Sequence, residues 1–301
     1  MVATRAVEES RWGRPTLRSP SLGLVTEDRT PPLSDQDVEA FWRDGVVCLR
    51  GAVPAEWLRR IEGPVEATLT SGESADLGVL AGPGAGGTGR FVAGTDHWRT
   101  SEDLRAFAAR SPLPAIAADL LRSEHVWLYE DSVLVKEPGS ALRTEFHTDA
   151  AYFHAAGDAM CTFWVPLDPT DQANGTLTFV AGSHRWERDF RPNLFVTTDP
   201  IPGTEGEIVP DVLADPALAD QLLSFDLQPG DLTVHHARTL HGAPANGSAD
   251  RRRRALSVRY CGDGVTWAPR PGVPLNVHHA ALAPGAPLGM PACLPVWPPA
   301  P

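Results

Sequence analysis

His147 and Asp149 lie two residues apart in the stretch TEFHTDAAYF, residues 144 to 153. The stretch is rich in aromatic and β-branched side chains, and residues two apart on a strand point to the same face. An imidazole and a carboxylate aimed at one spot make two corners of a metal site. The third corner must come from a later strand. Two histidines and one carboxylate on one face of a metal, with other positions open, form the donor set that suits non-haem iron(II). The stretch GDLTVHHARTLHGAPAN offers His235, His236 and His241. Adjacent strand residues face opposite ways, so His235 and His236 cannot both point inward, and both read as hydrogen-bonded strand residues. His241 sits at the strand end, where the chain yields to GAPAN, and is favoured over His236.

A dicarboxylate co-substrate is best gripped by a planar, permanently charged guanidinium. Arg253 heads the segment RRALSVRY, twelve residues after His241. One turn and half a strand return it beside the metal. Of the four arginines 251 to 254, at least two are expected to be solvated.

The elements that must position these residues are legible in outline. Ser34 and Asp37 make a capping-box start, Val38, Phe41 and Trp42 form a helical apolar stripe, and Gly45 ends the helix. VVCLRG reads as a strand, and PAEWLRRIEGPVEATL as a second helix with proline in its first turn. SEDLRAFAARSPLPAIAADLL reads as a third helix, and residues 80 to 89 as a glycine-rich loop without the context of a phosphate-binding loop. Six β-rich runs follow: VWLYEDSVLVKEP, TEFHTDAAYF, CTFWVPLD, GTLTFVAG, DLTVHHARTL and RRALSVRYCG. Short strands after N-terminal helices predict an antiparallel sandwich or barrel with helices packed outside. Residues 190 to 225, with one short helical piece in DPALADQLLSF, read as a long insertion of the lid or binding-loop kind.

Composition narrows the partners. The net charge of −12 argues against a nucleic-acid track, and Arg251 to Arg254 is one dense basic cluster only. The four cysteines are far apart with no CxxC pair, which favours free thiols over a zinc ribbon or redox dithiol. No run nears the roughly eighteen apolar residues of a membrane span, and the N-terminus has no secretory apolar core, so a cytoplasmic location is expected.

Together the motifs FHTDAAYF, FWVPLD, NGTLTFVAGSH, GDLTVHHARTLHGAPAN and RRALSVRY, with the opening LSDQDVEAFWRDGVVCLRGAVP, resemble the phytanoyl-CoA dioxygenase family of iron(II)/2-oxoglutarate oxygenases. The resemblance runs from about residue 33 to residue 261. It implies an α+β, mainly β protein with a double-stranded β-helix (jelly-roll) core and N-terminal helices outside. The whole chain, 1 to 301, would be one oxygenase domain, with a loose segment at 1 to 30 and a proline-rich tail at 268 to 301. It further implies Fe(II), 2-oxoglutarate and O2, with iron on His147, Asp149 and His241, and Arg253 on the distal carboxylate. Trp164, Ser132 and Thr148 would neighbour the co-substrate. Lys136, Glu130, Phe153 and Arg185 are expected toward a small-molecule substrate. Lys136 is the chain's single lysine; it shares a face with Leu134 and Ser132 and is expected at the pocket rim. The family often has a serine two residues after the distal histidine; this chain has Ala243.

The implied reaction is hydroxylation with release of succinate and carbon dioxide. Desaturation, ring closure and epimerisation would use the same site. A non-redox cupin-like protein is the rival of another class, and it would leave Arg253 facing solvent.

Overall fold

The computed structural model describes residues 33–82, 84–275, 282–290 and 292–299. The expected loose segment at 1 to 30 lies outside the described residues, as do parts of the tail.

Ser34 caps α1 (Asp35–Asp44) with both reciprocal hydrogen bonds of a capping box, and Gly45 ends it at φ 80°. β1 (Val46–Leu49) and α2 (Ala55–Thr68) follow, then β2 (Ala75–Asp76), the one-turn α3 (Gly78–Ala81) and β3 (Phe91–Thr95). The segment expected as one helix is two, α4 (Glu102–Arg110) and α5 (Leu113–Leu121). Pro112 is the reason: the residue before a proline is pushed out of the helical region, and Ser111 is extended at ψ 179°. The remaining strands are β4 (Val126–Lys136), β5 (Thr144–His147), β6 (Ala155–Ala156), β7 (Met160–Pro166), β8 (Thr178–Val180), β9 (Leu222–Ser224), β10 (Leu232–His236), β11 (His241–Ala243), β12 (Arg253–Cys261), β13 (Thr266–Trp267) and β14 (Leu294–Trp297). The helical piece expected in DPALADQLLSF is a single 3-10 turn, Ala219–Gln221, running into β9. Edge pairing of β9 with β8 takes those residues into a strand instead. The proline-rich tail contributes a strand to the fold, because β14 pairs with β4.

All described sheet pairings are antiparallel. The large sheet runs β1-β10-β7-β12-β4-β3-β2, with β14 also on β4, and a smaller sheet runs β5-β11-β8-β9. Period-two alternation divides the large sheet's side chains by face. Val133 and Val135, Phe163 and Val165, Leu232 and Val234, and Leu256 and Val258 join one core with Phe41, Ile61, Leu104, Phe107 and Leu120 of the helices. The intervening residues Ser132, Thr162, Trp164, His235, Arg253, Ser257 and Arg259 therefore face the other way, where they line cavities.

The helix layer also reaches the site through one residue. The Gly45 carbonyl accepts from the backbone N–H of His236 at 2.9 Å and from the Thr239 hydroxyl at 2.8 Å. A Cβ at Gly45 would sit 2.4 Å from both His184 Nδ1 and Thr239 Oγ1. Gly45→Ala therefore combines a left-handed backbone with a steric clash, and should lose about 2–4 kcal/mol of stability in urea unfolding. A loss under about 0.5 kcal/mol, the range of ordinary surface changes, would refute this brace.

Candidate metal centre

β5 ends at His147, and Asp149 opens a 3-10 turn (Asp149–Tyr152). The intervening Thr148 stays extended, at φ −110° and ψ 137°, so the same-side relation expected on a strand survives its end. His241 stands directly opposite His147 across the β5–β11 pair. The three potential ligand atoms lie within 4.8 Å of one another, and all three residues are buried. His147 Nε2 is 3.8 Å and His241 Nε2 3.9 Å from Asp149 Oδ1.

Both imidazoles are oriented by main-chain carbonyls. His147 Nδ1 lies 2.7 Å from the Glu145 carbonyl, and His241 Nδ1 lies 2.9 Å from that of Thr239. A carbonyl can only accept, so each Nδ1 carries the proton and each Nε2 turns a lone pair toward Oδ1. Burial, then the neighbouring His241, pushes His147 down to about 3; burial, then His235, pushes His241 down to about 4. Neutral imidazoles and a carboxylate are the protonation states that bind a cation.

The other carboxylate oxygen is held from the large sheet. Asp149 Oδ2 accepts from the Thr162 hydroxyl and lies 3.2 Å from His235 Nε2. Arg259 Nη2 is 3.8 Å from Oδ1. Burial opposes ionisation of Asp149, but Arg259, the hydrogen bond to His235 and the nearby His241 hold it well below the usual carboxylate range. His236 points to the opposite face, where it meets the Asp158 carbonyl at 2.7 Å. Both histidines are thus hydrogen-bonded strand residues, and His235 is the inward one.

Next to the three ligands lies a narrow recess whose lining includes Leu134, Thr144, Trp164, Phe195, Arg253 and Ser257. Arg253 is 2 % exposed and donates to the Leu134 carbonyl at 3.1 Å. Among the described residues, its Nε and the Trp164 Nε1 are buried donors with no hydrogen-bond partner. Burial lowers the guanidinium to about 9, which leaves it charged at neutral pH. Leaving a buried cation and two donors unanswered is costly, so the recess fits an anionic, multiply accepting group. Ala243 faces Thr144 across the β5–β11 pair, so a threonine lines the recess opposite the missing serine. The neighbouring arginines are all ion-paired: the exposed Arg251 with Asp171, and the half-buried Arg252 with Glu66 and Glu137 and Arg254 with Asp168, Glu62 and Glu66, so one of the four is solvated where at least two were expected.

A wider cavity of about 530 Å³ opens outward from the ligands. Glu130, Ser132 and Phe153 line it, as does Phe195 of the 190–225 insertion. Ser132 lines this cavity and not the recess, and its hydroxyl accepts from Arg259 Nη1 at 2.6 Å. Ser132 thus departs from its expected place beside the co-substrate, and three further expectations fail. Lys136, paired across strands with Arg253, is fully buried and donates to the Pro244 carbonyl at 2.7 Å, so it lies behind the recess and not at a rim. Arg185 packs on the end of α1, bonding the Trp42 and Arg43 carbonyls, and lines neither space. Thr148 lines neither space either, because alternation turns it away from the side shared by His147 and Asp149.

Arg259, Thr162 and His235 were missed as site residues. Arg259 had a signal: it stands six residues after Arg253 on one strand, hence on the same face. Thr162 likewise stands two before Trp164.

A buried 2-His-1-carboxylate set with an adjoining cationic recess, on antiparallel β sheets, defines a non-haem metal oxygenase class of site. The family model for phytanoyl-CoA dioxygenase matches residues 41–255. The chain belongs to the phytanoyl-CoA dioxygenase family. It is 31% identical over 155 residues to a probable alpha-ketoglutarate-dependent hypophosphite dioxygenase of Stutzerimonas stutzeri, a match covering 46% of this chain and about half, 47%, of that relative. It is 25% identical over 251 residues to the 1-deoxypentalenic acid 11-beta-hydroxylase of Streptomyces exfoliatus, covering 77% of this chain and 82% of the relative. Among solved structures, the epimerase SnoN in complex with Fe3+, alpha ketoglutarate and nogalamycin RO superposes with TM-score 0.65 at 27% identity, covering 87% of this chain and 97% of that one.

Two outcomes follow from the bonding around Asp149. Thr162→Val keeps the shape and removes the hydroxyl, and should weaken Fe(II) binding about 10-fold or more in a competition titration. Unchanged affinity would mean that the hydroxyl does not orient the ligand. Six imidazoles, His97, His147, His184, His235, His236 and His241, are lowered by burial, whereas they take up protons near 6.5 when unfolded. Glu130 and Asp131, raised by burial to about 7 and about 8, act in the opposite sense, but are only two. The unfolded state therefore binds more protons between about pH 6.5 and 4, and stability falls as pH drops through that window. The metal-free protein should melt several degrees lower at about pH 5 than at about pH 7; an unchanged or higher Tm would overturn this balance.

Proposed function

We propose that this chain is an iron(II)- and 2-oxoglutarate-dependent oxygenase that hydroxylates a small-molecule metabolite and releases succinate and carbon dioxide. We read it as one oxygenase domain whose two sheets form a jelly-roll core. His147, Asp149 and His241 would hold iron, and Arg253 beside Trp164 would hold the distal carboxylate of 2-oxoglutarate. Iron, 2-oxoglutarate and dioxygen, when bound, supply the oxidising chemistry. The protein supplies the rest. Main-chain carbonyls fix both imidazoles, Thr162 and His235 fix the carboxylate, and Leu134 and Phe195 help to wall off water. The observation that carries the reading is Arg253, a buried cation without a carboxylate partner among the described residues, facing a recess beside the ligands. A cupin-like binder without 2-oxoglutarate would have no use for it there. Epimerisation is the second reading, favoured by the likeness to the nogalamycin epimerase. Among the described residues no helix is long and apolar enough to cross a membrane.

His147→Ala should abolish conversion of 2-oxoglutarate to succinate while leaving the fold intact, and Asp149→Ala should abolish it while also lowering the Tm, because Arg259 and His235 lose their buried carboxylate partner. Arg253→Met should weaken 2-oxoglutarate binding to the Mn(II)-loaded protein by about 30-fold or more, the loss expected for a charge-assisted pair. Calorimetry reads the second effect, and near-normal affinity in Arg253→Met would sink the assignment.

A further inference from the structure

The outer cavity has two unlike walls. One carries Tyr152, Phe153, Phe195, Ile201, Val273 and Pro274. The other, built from β3, β4 and the loop before β2, carries the polar side chains of Glu73, Ser74, Thr95, Glu130 and Ser132 beside the apolar Ala93 and Leu134. Charge is lopsided in this space. Glu73, Glu130 and Asp149 line it, whereas Arg259 is the one arginine or lysine among the described lining residues. Arg259 is committed through Nη1, which donates to Ser132 and pairs with Glu130 at 3.1 Å, and its Nη2 lies 3.8 Å from Asp149, while its Nε–H is buried without a hydrogen-bond partner among the described residues. His154 is engaged at both ring nitrogens: Nδ1 accepts from the Arg270 N–H at 2.9 Å and Nε2 meets the Pro274 carbonyl at 3.0 Å. His97, behind Glu73 at 3.8 Å, is pushed down by burial and is neutral at neutral pH. Burial raises Glu130 to about 7, so at about pH 8, where it is mostly ionised, an entering carboxylate or phosphate would meet Glu73, Glu130 and Asp149 with Arg259 already paired, a repulsive contact in a space partly shielded from water. A hydroxyl or protonated amine would meet acceptors on one wall and an apolar surface on the other.

We propose that the cavity selects an apolar-bodied molecule that presents a hydrogen-bond donor, hydroxyl or ammonium, to Glu130, and rejects acids and acyl-phosphate carriers. This rests on the oxygenase reading for the location of the substrate, and on the cavity alone for its chemistry. Glu130 is the specificity-determining residue. Its carboxyl group pairs with Arg259, which in turn lies 3.8 Å from the ligand Asp149.

Three probes with one apolar body test it: tryptamine, tryptophol and indole-3-acetate. Each is titrated by calorimetry at about pH 8, above the raised value of Glu130, into the full chain loaded with Mn(II) and 2-oxoglutarate. Tryptamine and tryptophol should bind at least about tenfold tighter than indole-3-acetate, about the effect of one hydrogen bond to a charged group. Glu130→Gln should shrink the tryptamine-to-acetate gap to about threefold or less. Glu130→Asp, which keeps the charge and the partner for Arg259, should retain the order of preference. Indole-3-acetate binding as tightly as the others, no binding of any probe, or a full gap in a folded Glu130→Gln protein would each overturn the proposal. Binding of 2-oxoglutarate, measured first, reports on the oxygenase reading separately. If 2-oxoglutarate fails to bind while the probe order holds, the cavity's selectivity stands and the oxygenase reading falls.

Discussion

Asp149 is a carboxylate at 3 % exposure whose two oxygens have different partners, and the site depends on that division. Oδ1 faces the two lone pairs of His147 and His241, while Oδ2 is tied to Thr162 and His235. Burying a lone carboxylate is prohibitive, so the partners must be in place when the chain folds. They come from elsewhere in the fold. Asp149 follows β5 of the small sheet, whereas Thr162, His235 and Arg259 sit on β7, β10 and β12 of the large one. One carboxylate thus joins the two sheets by polar contacts, and the metal ligands inherit their geometry from that junction.

The same interior holds two basic side chains with no carboxylate partner among the described residues. Arg253 and Lys136 are cross-strand neighbours, both buried, with Phe91 beneath each charged group at 5.8 and 4.7 Å. Burial, then Arg253, pushes the Lys136 ammonium well below its ordinary value. A guanidinium keeps its charge under such conditions far better than an ammonium does. The division of roles follows from that difference: Arg253 presents a permanent charge to the recess, and Lys136 fills the space behind it with a single directed hydrogen bond to Pro244. Toward the outer cavity the balance reverses, with carboxylates in excess, so the two spaces flanking the metal ligands prefer opposite charges.

The insertion at 190 to 225 matters through a few residues. Asn193 donates to the Phe146 carbonyl at 3.0 Å and accepts from the Tyr152 hydroxyl and the Phe195 N–H. Phe195 adopts φ 69°, an uncommon conformation for a bulky side chain, and its ring lies 5.1 Å from that of His147. These contacts fasten the insertion to the HxD segment, and place an aromatic ring between the recess and the outer cavity.

Local chemistry is legible in the amino-acid sequence by itself. The capping box at Ser34, the stop at Gly45 and the short strands follow from rules spanning a few residues, as does the pairing of His147 with Asp149. The choice of His241 and Arg253 comes from ordered motifs and family resemblance, since spacing alone leaves His236 open. The helix break at Pro112 is legible in principle but is masked by the apolar periodicity on both sides. What the tertiary structure decides is which polar side chains share a space. Strand alternation tells which residues share a face, but not which face meets the second sheet, where Arg259 finds Glu130, or that Lys136 lies behind Arg253 and not at a rim. Those outcomes depend on contacts between segments more than a hundred residues apart, such as Arg259 with Ser132, which no local pattern encodes.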